Sequence, residues 1–295
     1  MSADTRVDIF YNEVSSLSAS IYVRGNDFAD TEGVTLQGTV QGPECHNATT
    51  LPATIPLRTV HGADPFLAKA VVPDPCCWSP HLPATYRVRV EIVRKDIVVA
   101  VSEHTVGLKS LHTDENSLYL ESRRWVLRAA YLSKPNEVNL NAWRKTGLAM
   151  YVEEPSEKLC QQASELGILI IGSITNASHD IAARLRELSC WPALAIAVLD
   201  PSVQNLAHLS RFAPNLLLAQ HIDGESLNQV CPDCALVFAD VSKISDLSAI
   251  SAQSYCPIIA TRQVETELNI TNRRTACDHL QRDLAPIGDF AGYCV

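Results

Sequence analysis

The hydrophobic pattern of this chain changes near residue 107, and that change constrains the fold more than any other feature. Up to that point, short β-branched segments alternate apolar and polar residues, which is typical of strands with one buried face. From about residue 125, fully apolar runs alternate with amphipathic segments, which is typical of a parallel sheet covered by helices. The sequence therefore predicts two domains, residues 1–107 and residues 108–295.

The first domain is predicted to be an antiparallel β-sandwich of the immunoglobulin type. Half of the sixteen prolines of the chain fall in this first third, as loops between short strands require. Five strands are predicted, over residues 18–23, 33–40, 66–72, 86–93 and 97–101.

The second domain is predicted to be a small, TIM-like (β/α)8 barrel. Its strands are predicted over residues 125–132, 148–152, 168–174, 193–199, 215–220, 235–241, 257–261 and 290–295. Helices are predicted over residues 139–146, 156–166, 179–189, 203–212, 242–253 and 273–284. The alternative is an open, doubly wound sheet, although the sequence has neither a G-x-G-x-x-G motif nor a P-loop.

The sequence ends inside the eighth predicted strand, so the pattern predicts a barrel that lacks its eighth helix. Strands that are apolar on both sides need a cover on their outer face. An open face of a few hundred Å² between the first and eighth strands would be large enough to mark a contact site. We therefore expect a homodimer or a protein partner to cover this face.

Charge and cysteine content exclude several classes of function. The net charge of −9 and the absence of a basic stretch argue against a nucleic-acid partner. No apolar run is long enough to span a membrane, and the polar N-terminus predicts a soluble, cytoplasmic protein. The ten cysteines are then expected to be reduced thiols. Cys231 and Cys234 have metal-ligand spacing, but no second pair follows, so we expect neither a metal nor a cofactor.

Four passages, in order along the chain, resemble the family 2 glycoside hydrolases, which include β-galactosidases, β-glucuronidases and β-mannosidases. Residues 72–88, with Trp-Ser-Pro at 78–80, are similar to a passage of the family's sandwich. Residues 104–111 resemble the crossing from sandwich to barrel, and residues 117–129 resemble the hairpin that enters the first barrel strand. Residues 155–171 resemble the passage that leads into the third strand. The resemblance implies this two-domain architecture and a role related to carbohydrates.

The family's reaction uses two carboxylates, a general acid and a nucleophile, on either side of the glycosidic bond. In the family, the acid follows an asparagine after the fourth barrel strand, and the nucleophile is a glutamate at the end of the seventh. The first position falls here on Pro201 and Ser202, and the second falls on Arg262. Because arginine can neither lose its proton nor attack carbon, the resemblance implies a relative that binds or assembles without hydrolysing glycosides.

Other polar side chains follow the predicted strands and are expected to meet at the barrel mouth, where barrel enzymes hold their catalysts. Asp200, Glu265 and Glu153 are the candidates for a relocated catalytic pair, so an active glycosidase with rearranged acids is the alternative function. A fragment or subunit of a larger enzyme is a third interpretation. The predicted binding residues are Tyr131 and Tyr151, as platforms for sugar rings, and Glu154, His221, Asp223, Asp240 and Arg262.

Overall fold

A computed structural model describes residues 7–25, 33–60, 66–132, 138–175, 180–222, 230–244, 247, 255–264 and 269–295. The chain divides into two compact units. The first is Met1–Lys109 with Cys190–Pro192, and the second is Ser110–Ser189 with Ala193–Val295.

The first unit contains an antiparallel sheet of seven strands that folds over into two layers. The strands are β1 (Val7–Asn12), β2 (Ser18–Gly25), β3 (Val34–Glu44), β4 (Ala53–Thr59), β5 (Leu67–Pro73), β6 (Thr85–Arg94) and β7 (Ile97–Val106), in the order β1-β2-β5-β4-β3-β6-β7. β4 and β5 pair only through Arg58–Lys69 and Thr59–Ala68, so the sheet turns over there. Alternate side chains of both layers, such as Ile21 and Val88, fill the core between them. The immunoglobulin-like sandwich is confirmed.

Two strands of this sandwich, β1 and β4, were not predicted from the sequence. β4 contains Pro56, which has no N–H to donate to a neighbouring strand and therefore argues against a strand. In the structure, Pro56 lies in the stretch of β4 that pairs with β3 alone, where a missing donor is tolerated.

The second unit contains a closed barrel of eight parallel strands, and this confirms the predicted barrel. The strands are β11 (Leu127–Tyr131), β12 (Ala149–Glu153), β13 (Ile170–Ile174), β14 (Leu194–Leu199), β15 (Leu217–Ile222), β16 (Leu236–Asp240), β17 (Ile258–Thr261) and β18 (Gly292–Cys294). Before them, β8 (Leu111–Asp114), β9 (Ser117–Leu120) and β10 (Arg123–Arg124) form a small antiparallel sheet. Leu118 of this sheet is fully buried in the barrel core with Leu127 and Phe238.

The described helices of this unit are α1 (Leu140–Thr146), α2 (Glu157–Leu166), α3 (Ile181–Ser189), α4 (Leu206–Leu209) and α5 (Ile270–Leu284). The predicted cap of α2 is confirmed: Ser156 accepts a hydrogen bond from the N–H of Leu159, and Gly167 ends the helix in the left-handed conformation. The helix predicted over 203–212 is only the single turn α4, and most of the one predicted over 242–253 lies outside the described residues. None of the helices in the described part of the chain has the length and apolar character needed to cross a membrane.

The prediction of an open face between the first and eighth barrel strands is wrong, because α5 covers this face. Arg128 on the outside of β11 donates to Asp278 (3.1 Å) and to Gln281 (2.7 Å) of α5. The thiol of Cys277, also on α5, donates to the carbonyl of Tyr293 in β18 (3.2 Å). The helix that follows the seventh strand therefore takes the place expected for the eighth helix. The homodimer or protein partner stays a prediction, but this face gives no reason for it.

Candidate binding site at the barrel mouth

A cavity of about 600 Å³ opens where the barrel strands end. Because all eight strands are parallel, their carboxyl ends meet at one rim, and side chains from distant parts of the sequence converge there. The cavity is lined by Tyr131, Ser173, Ile174, Thr175, Val198, Leu199, Asp200, Pro201, His221, Asp240, Lys243, Thr261, Gln263, Val264, Arg273 and Val295. Four of the predicted site residues are among them: Tyr131, Asp200, His221 and Asp240.

An aromatic cluster forms part of this site. The rings of Tyr131 and Tyr151 lie 4.5 Å apart, and the hydroxyl of Tyr151 lies 2.5 Å from Nε2 of His221. Tyr151 is only 5% exposed and does not line the cavity, whereas Tyr131 does. Tyr131 is therefore the better placed of the two to contact a ligand, and Tyr151 holds His221 in position. Burial raises the pKa of both phenols, so both are neutral at physiological pH.

The two described carboxylates of the cavity, Asp200 and Asp240, are both stabilised in their ionised form. Hydrogen bonds from Ser202 lower the pKa of Asp200, which accepts the N–H of Ser202 at 2.8 Å. Partial burial alone would raise the pKa of Asp240, but hydrogen bonds from Ser242 and the charge of Lys243 outweigh it and lower the pKa. A general acid at neutral pH needs a raised pKa, so neither carboxyl suits that role.

Four other predicted site residues lie elsewhere or outside the described residues. Glu153 is exposed and does not line the cavity. Glu154 accepts hydrogen bonds from the N–H of Thr175 (2.8 Å) and from Nε of Arg184 (3.4 Å), so it supports the loop after β13. Asp223 and Glu265 lie outside the described residues.

Among the described residues, Arg262 forms no ion pair with the acids of the mouth. Its guanidinium forms an ion pair with Asp283 of α5 at 2.9 Å, and Arg262 does not line the cavity. The acids of the cavity are held instead by serines of their own loops and by Lys243. Asp200 follows β14 directly, with Pro201 and Ser202 next, and Arg262 follows β17 directly, so these residues lie at the strand ends to which the resemblance assigns the family's carboxylates.

Several residues of the cavity were missed because the sequence argument considered only acids, aromatic residues, His221 and Arg262 at the strand ends. Arg273 belongs to the first turns of α5, is buried, and donates to the carbonyl of Tyr131. No local signal distinguishes it from a surface arginine. Lys243 could have been found, because it lies three residues after Asp240 in the same strand-end loop and pairs with it at 3.5 Å.

Gln220 of β15 holds the loop that carries Asp200 and was also missed. It is completely buried. Its amide donates to the carbonyl of Val203 (2.8 Å) and to that of Asp200 (3.3 Å), and its carbonyl accepts the N–H of Cys231 (2.8 Å). The side chain therefore satisfies backbone groups from two separate loops, and that of Cys231 is buried.

We predict that Gln220→Leu destabilises the protein, because three backbone groups lose their partner, and the N–H of Cys231 among them is buried. The expected loss in the free energy of unfolding is about 2–3 kcal/mol. Urea unfolding followed by circular dichroism measures it. Gln161→Leu is the control, because Gln161 lies on the exposed side of α2 and its side chain, within the described residues, bonds to Glu165 alone. Equal losses for the two variants would contradict the prediction.

The Cys-x-x-Cys motif forms a turn. The N–H of Cys234 donates to the carbonyl of Cys231 at 3.0 Å, and both thiols are buried. Burial raises the pKa of Cys234 to about 12, so this thiol is protonated and a poor metal ligand. Within the described residues, no group of three or more His, Cys, Asp or Glu residues is placed to hold a metal ion.

A sandwich followed by a parallel barrel with a polar cavity at its mouth is the architecture of a glycoside hydrolase-like protein. Bacteroides uniformis β-glucuronidase 2 aligns with a TM-score of 0.64 and 14% identity, over 98% of this chain and 45% of that chain. A putative β-galactosidase from Bacteroides fragilis aligns with a TM-score of 0.63 and 14% identity, over 98% of this chain and 54% of that chain.

A family 2 glycosyl hydrolase from Bacteroides cellulosilyticus aligns with a TM-score of 0.69 and 12% identity, over 98% of this chain and 43% of that chain. No protein-family model and no curated protein matches the sequence. The fold is therefore similar to that of the family 2 glycoside hydrolases, which confirms the resemblance given by the motifs. The chain spans about half the length of these solved relatives.

Proposed function

We propose that the barrel mouth binds a small polar ligand related to carbohydrates and does not hydrolyse it. The cavity of about 600 Å³ is large enough for a small sugar. The hydroxyl of Tyr131, the imidazole of His221 and the carboxylates of Asp200 and Asp240 supply the hydrogen-bonding groups that sugar hydroxyls require.

The observation that carries the proposal is the position and the ionisation state of the acidic side chains. The resemblance places the family's two catalytic carboxylates at Pro201-Ser202 and at Arg262, where this sequence has no carboxylate. The carboxylates that the cavity does contain, Asp200 and Asp240, are stabilised as anions by hydrogen bonds from Ser202 and Ser242. Anions accept hydrogen bonds from a bound ligand but do not protonate a leaving group.

The second candidate is an active glycosidase with rearranged acids. The presence of two carboxylates on one cavity, Asp200 and Asp240, favours it. In that mechanism one of them would have to act as the acid and the other as the nucleophile or base.

We expect no measurable hydrolysis of aryl β-galactosides, β-glucuronides or β-mannosides. Loss of acid and nucleophilic catalysis together removes several orders of magnitude in rate. The assay is release of nitrophenol by the wild-type chain, with Asp200→Asn and Asp240→Asn as variants. A turnover of about 1 s⁻¹ or more that disappears in either variant would establish the active glycosidase instead.

Binding is measured separately by calorimetry, with the same aryl glycosides as probes. Tyr131→Ala is expected to weaken binding of any probe by about tenfold, because the aromatic wall of the cavity is lost. Tyr255→Ala is the matched control, because Tyr255 is 99% exposed and does not line the cavity. Binding that is absent for every probe, or equally weakened by both variants, would contradict the proposal.

For the location of the protein we propose the cytoplasm. All ten cysteines lie in the described residues, and all are free thiols. Free thiols in this number suit a reducing compartment. Survival of the ten thiols in protein purified from its source, measured by titration in denaturant, is the test, and disulfides in that material would contradict it.

A further inference from the structure

The Cys-x-x-Cys turn places two cysteines within reach of a disulfide bond. The N–H of Cys234 donates to the carbonyl of Cys231 at 3.0 Å. A hydrogen bond between the first and the fourth residue marks a β-turn, in which the two Cα atoms are less than about 7 Å apart. Disulfides usually join residues whose Cα atoms are about 4.4–6.8 Å apart. The backbone therefore already holds the two cysteines at about the separation that a disulfide requires.

Both thiols lie beneath this turn. Its central residues, Pro232 and Asp233, are exposed, whereas Cys231 is 4% and Cys234 is 7% exposed. The thiol of Cys231 raises the pKa of Cys234 electrostatically, and such an effect requires a short distance between the two sulfur atoms. Because the turn itself is at the surface, a local opening of residues 231–234 is enough to expose both thiols to a small molecule.

A third thiol, that of Cys256, also lies near Cys234 and raises its pKa. Cys256 belongs to the segment that precedes β17, whereas Cys231 shares its turn with Cys234. A disulfide needs a fixed backbone separation, so Cys231 is the favoured partner of Cys234. The thiol of Cys234 donates to the carbonyl of Leu236 at 2.9 Å, which engages its proton. Cys231 is therefore the better attacking group of the pair.

We propose that Cys231 and Cys234 form a reversible disulfide when the protein meets a small disulfide such as oxidised glutathione. The sulfur of Cys231 gives up its proton and attacks one sulfur of oxidised glutathione. One glutathione leaves and takes up a proton, while the other stays bound to Cys231. The sulfur of Cys234 then attacks that of Cys231, and its proton leaves with the second glutathione. Two cysteine thiols are thus oxidised while one glutathione disulfide is reduced to two thiols. In the reducing compartment proposed above, the two thiols are the resting state.

The test is peptide mapping by mass spectrometry of the folded 295-residue chain after incubation with oxidised glutathione. Free thiols are alkylated in denaturant, and the chain is digested without a reductant. Trypsin leaves Cys231 and Cys234 together in the peptide 212–243 and Cys256 in the peptide 244–262. The peptide 212–243 is expected to be lighter by two hydrogen atoms and to carry no alkyl group, and dithiothreitol is expected to restore both thiols. A peptide 212–243 alkylated at both cysteines, or linked to the peptide 244–262, would overturn the proposal.

Single substitutions test the order of the two steps. Cys234→Ser is expected to keep one glutathione bound to Cys231, because the second thiol that releases it is missing. Cys231→Ser is expected to leave Cys234 free for alkylation, because the attacking group is missing. Cys256→Ser is the matched control and is expected to form the disulfide as the wild-type chain does. Serine is close to cysteine in size, and circular dichroism checks that each variant folds. Absence of glutathione from a folded Cys234→Ser variant, or loss of the disulfide in Cys256→Ser, would contradict the proposal.

Discussion

Replacing Gly292 by alanine is expected to prevent the barrel from closing. Gly292 lies in β18, between β11 and β17. A Cβ atom at this position would lie 2.6 Å from Cβ and 2.7 Å from the carbonyl oxygen of Leu127, and 2.9 Å from Cδ1 of Ile259. The side chain of Ile259 can move, but the backbone of Leu127 cannot move without opening the ladder between β11 and β18.

The expected loss in the free energy of unfolding is more than about 3 kcal/mol, which is a large part of the stability of a domain. Urea unfolding followed by circular dichroism measures it. Gly147→Ala is the control: Gly147 has a left-handed backbone (φ 66°), which Gly292 does not, but the nearest atom to its Cβ would be 3.8 Å away. That variant is expected to lose only about 1 kcal/mol. A Gly292→Ala variant as stable as Gly147→Ala would show that the strand pair adjusts.

The barrel could be predicted from the sequence because its strands are apolar on both faces. β14, for example, is Leu-Ala-Ile-Ala-Val-Leu and is buried at all six positions, so no helical or alternating pattern competes with the strand. The strands of the sandwich were harder to predict, because β4 contains Pro56 and β1 contains Asp8. β1 is stabilised by pairing with β2, and β4 by pairing with β3 and β5, and the pattern within each strand does not reveal this pairing.

The observed helix boundaries depend on capping residues, and the hydrophobic pattern of the sequence does not show these residues. α5 begins at Ile270, three residues before its predicted start, because Asn269 caps it by accepting the N–H of Asn272. α5 also lies against β18 and β11, which no periodicity could indicate. The expected open face followed from assigning one helix to each strand in order.

The candidate site was predicted in part, for a reason specific to barrels. Tyr131, Asp200, His221 and Asp240 follow or end strands, and parallel strands bring such residues together. Arg273 reaches the cavity from a helix, so the strand-end rule could not find it. The lowered pKa of Asp200 depends on a turn with Ser202, which is a property of the folded chain.

The barrel is expected to lose stability steeply in alkaline solution, because it buries thiols whose pKa values are raised. Burial raises the pKa of Cys234 from 9.0 to about 12 and that of Cys277 from 9.0 to about 11. Burial also raises the pKa of Cys294 well above its ordinary value. Below pH 9 these thiols are protonated in both the folded and the unfolded chain, so the free energy of unfolding does not depend on their ionisation. Above pH 9 the unfolded chain releases three protons that the folded chain retains.

Each retained proton makes the free energy of unfolding fall by about 1.4 kcal/mol per pH unit, so three thiols give about 4 kcal/mol per unit between pH 9 and 11. Domains have about 5–15 kcal/mol of stability, so the barrel should unfold within this range. Urea unfolding in the presence of a thiol reductant, at pH values from 7 to 11, measures the slope. Cys277→Ala is expected to reduce the slope of the free energy of unfolding against pH by the contribution of one proton, about 1.4 kcal/mol per pH unit. Cys190→Ala, which removes an exposed thiol, should leave it unchanged. A free energy of unfolding that stays constant up to pH 11 would show that these thiols do not stay protonated in the folded barrel.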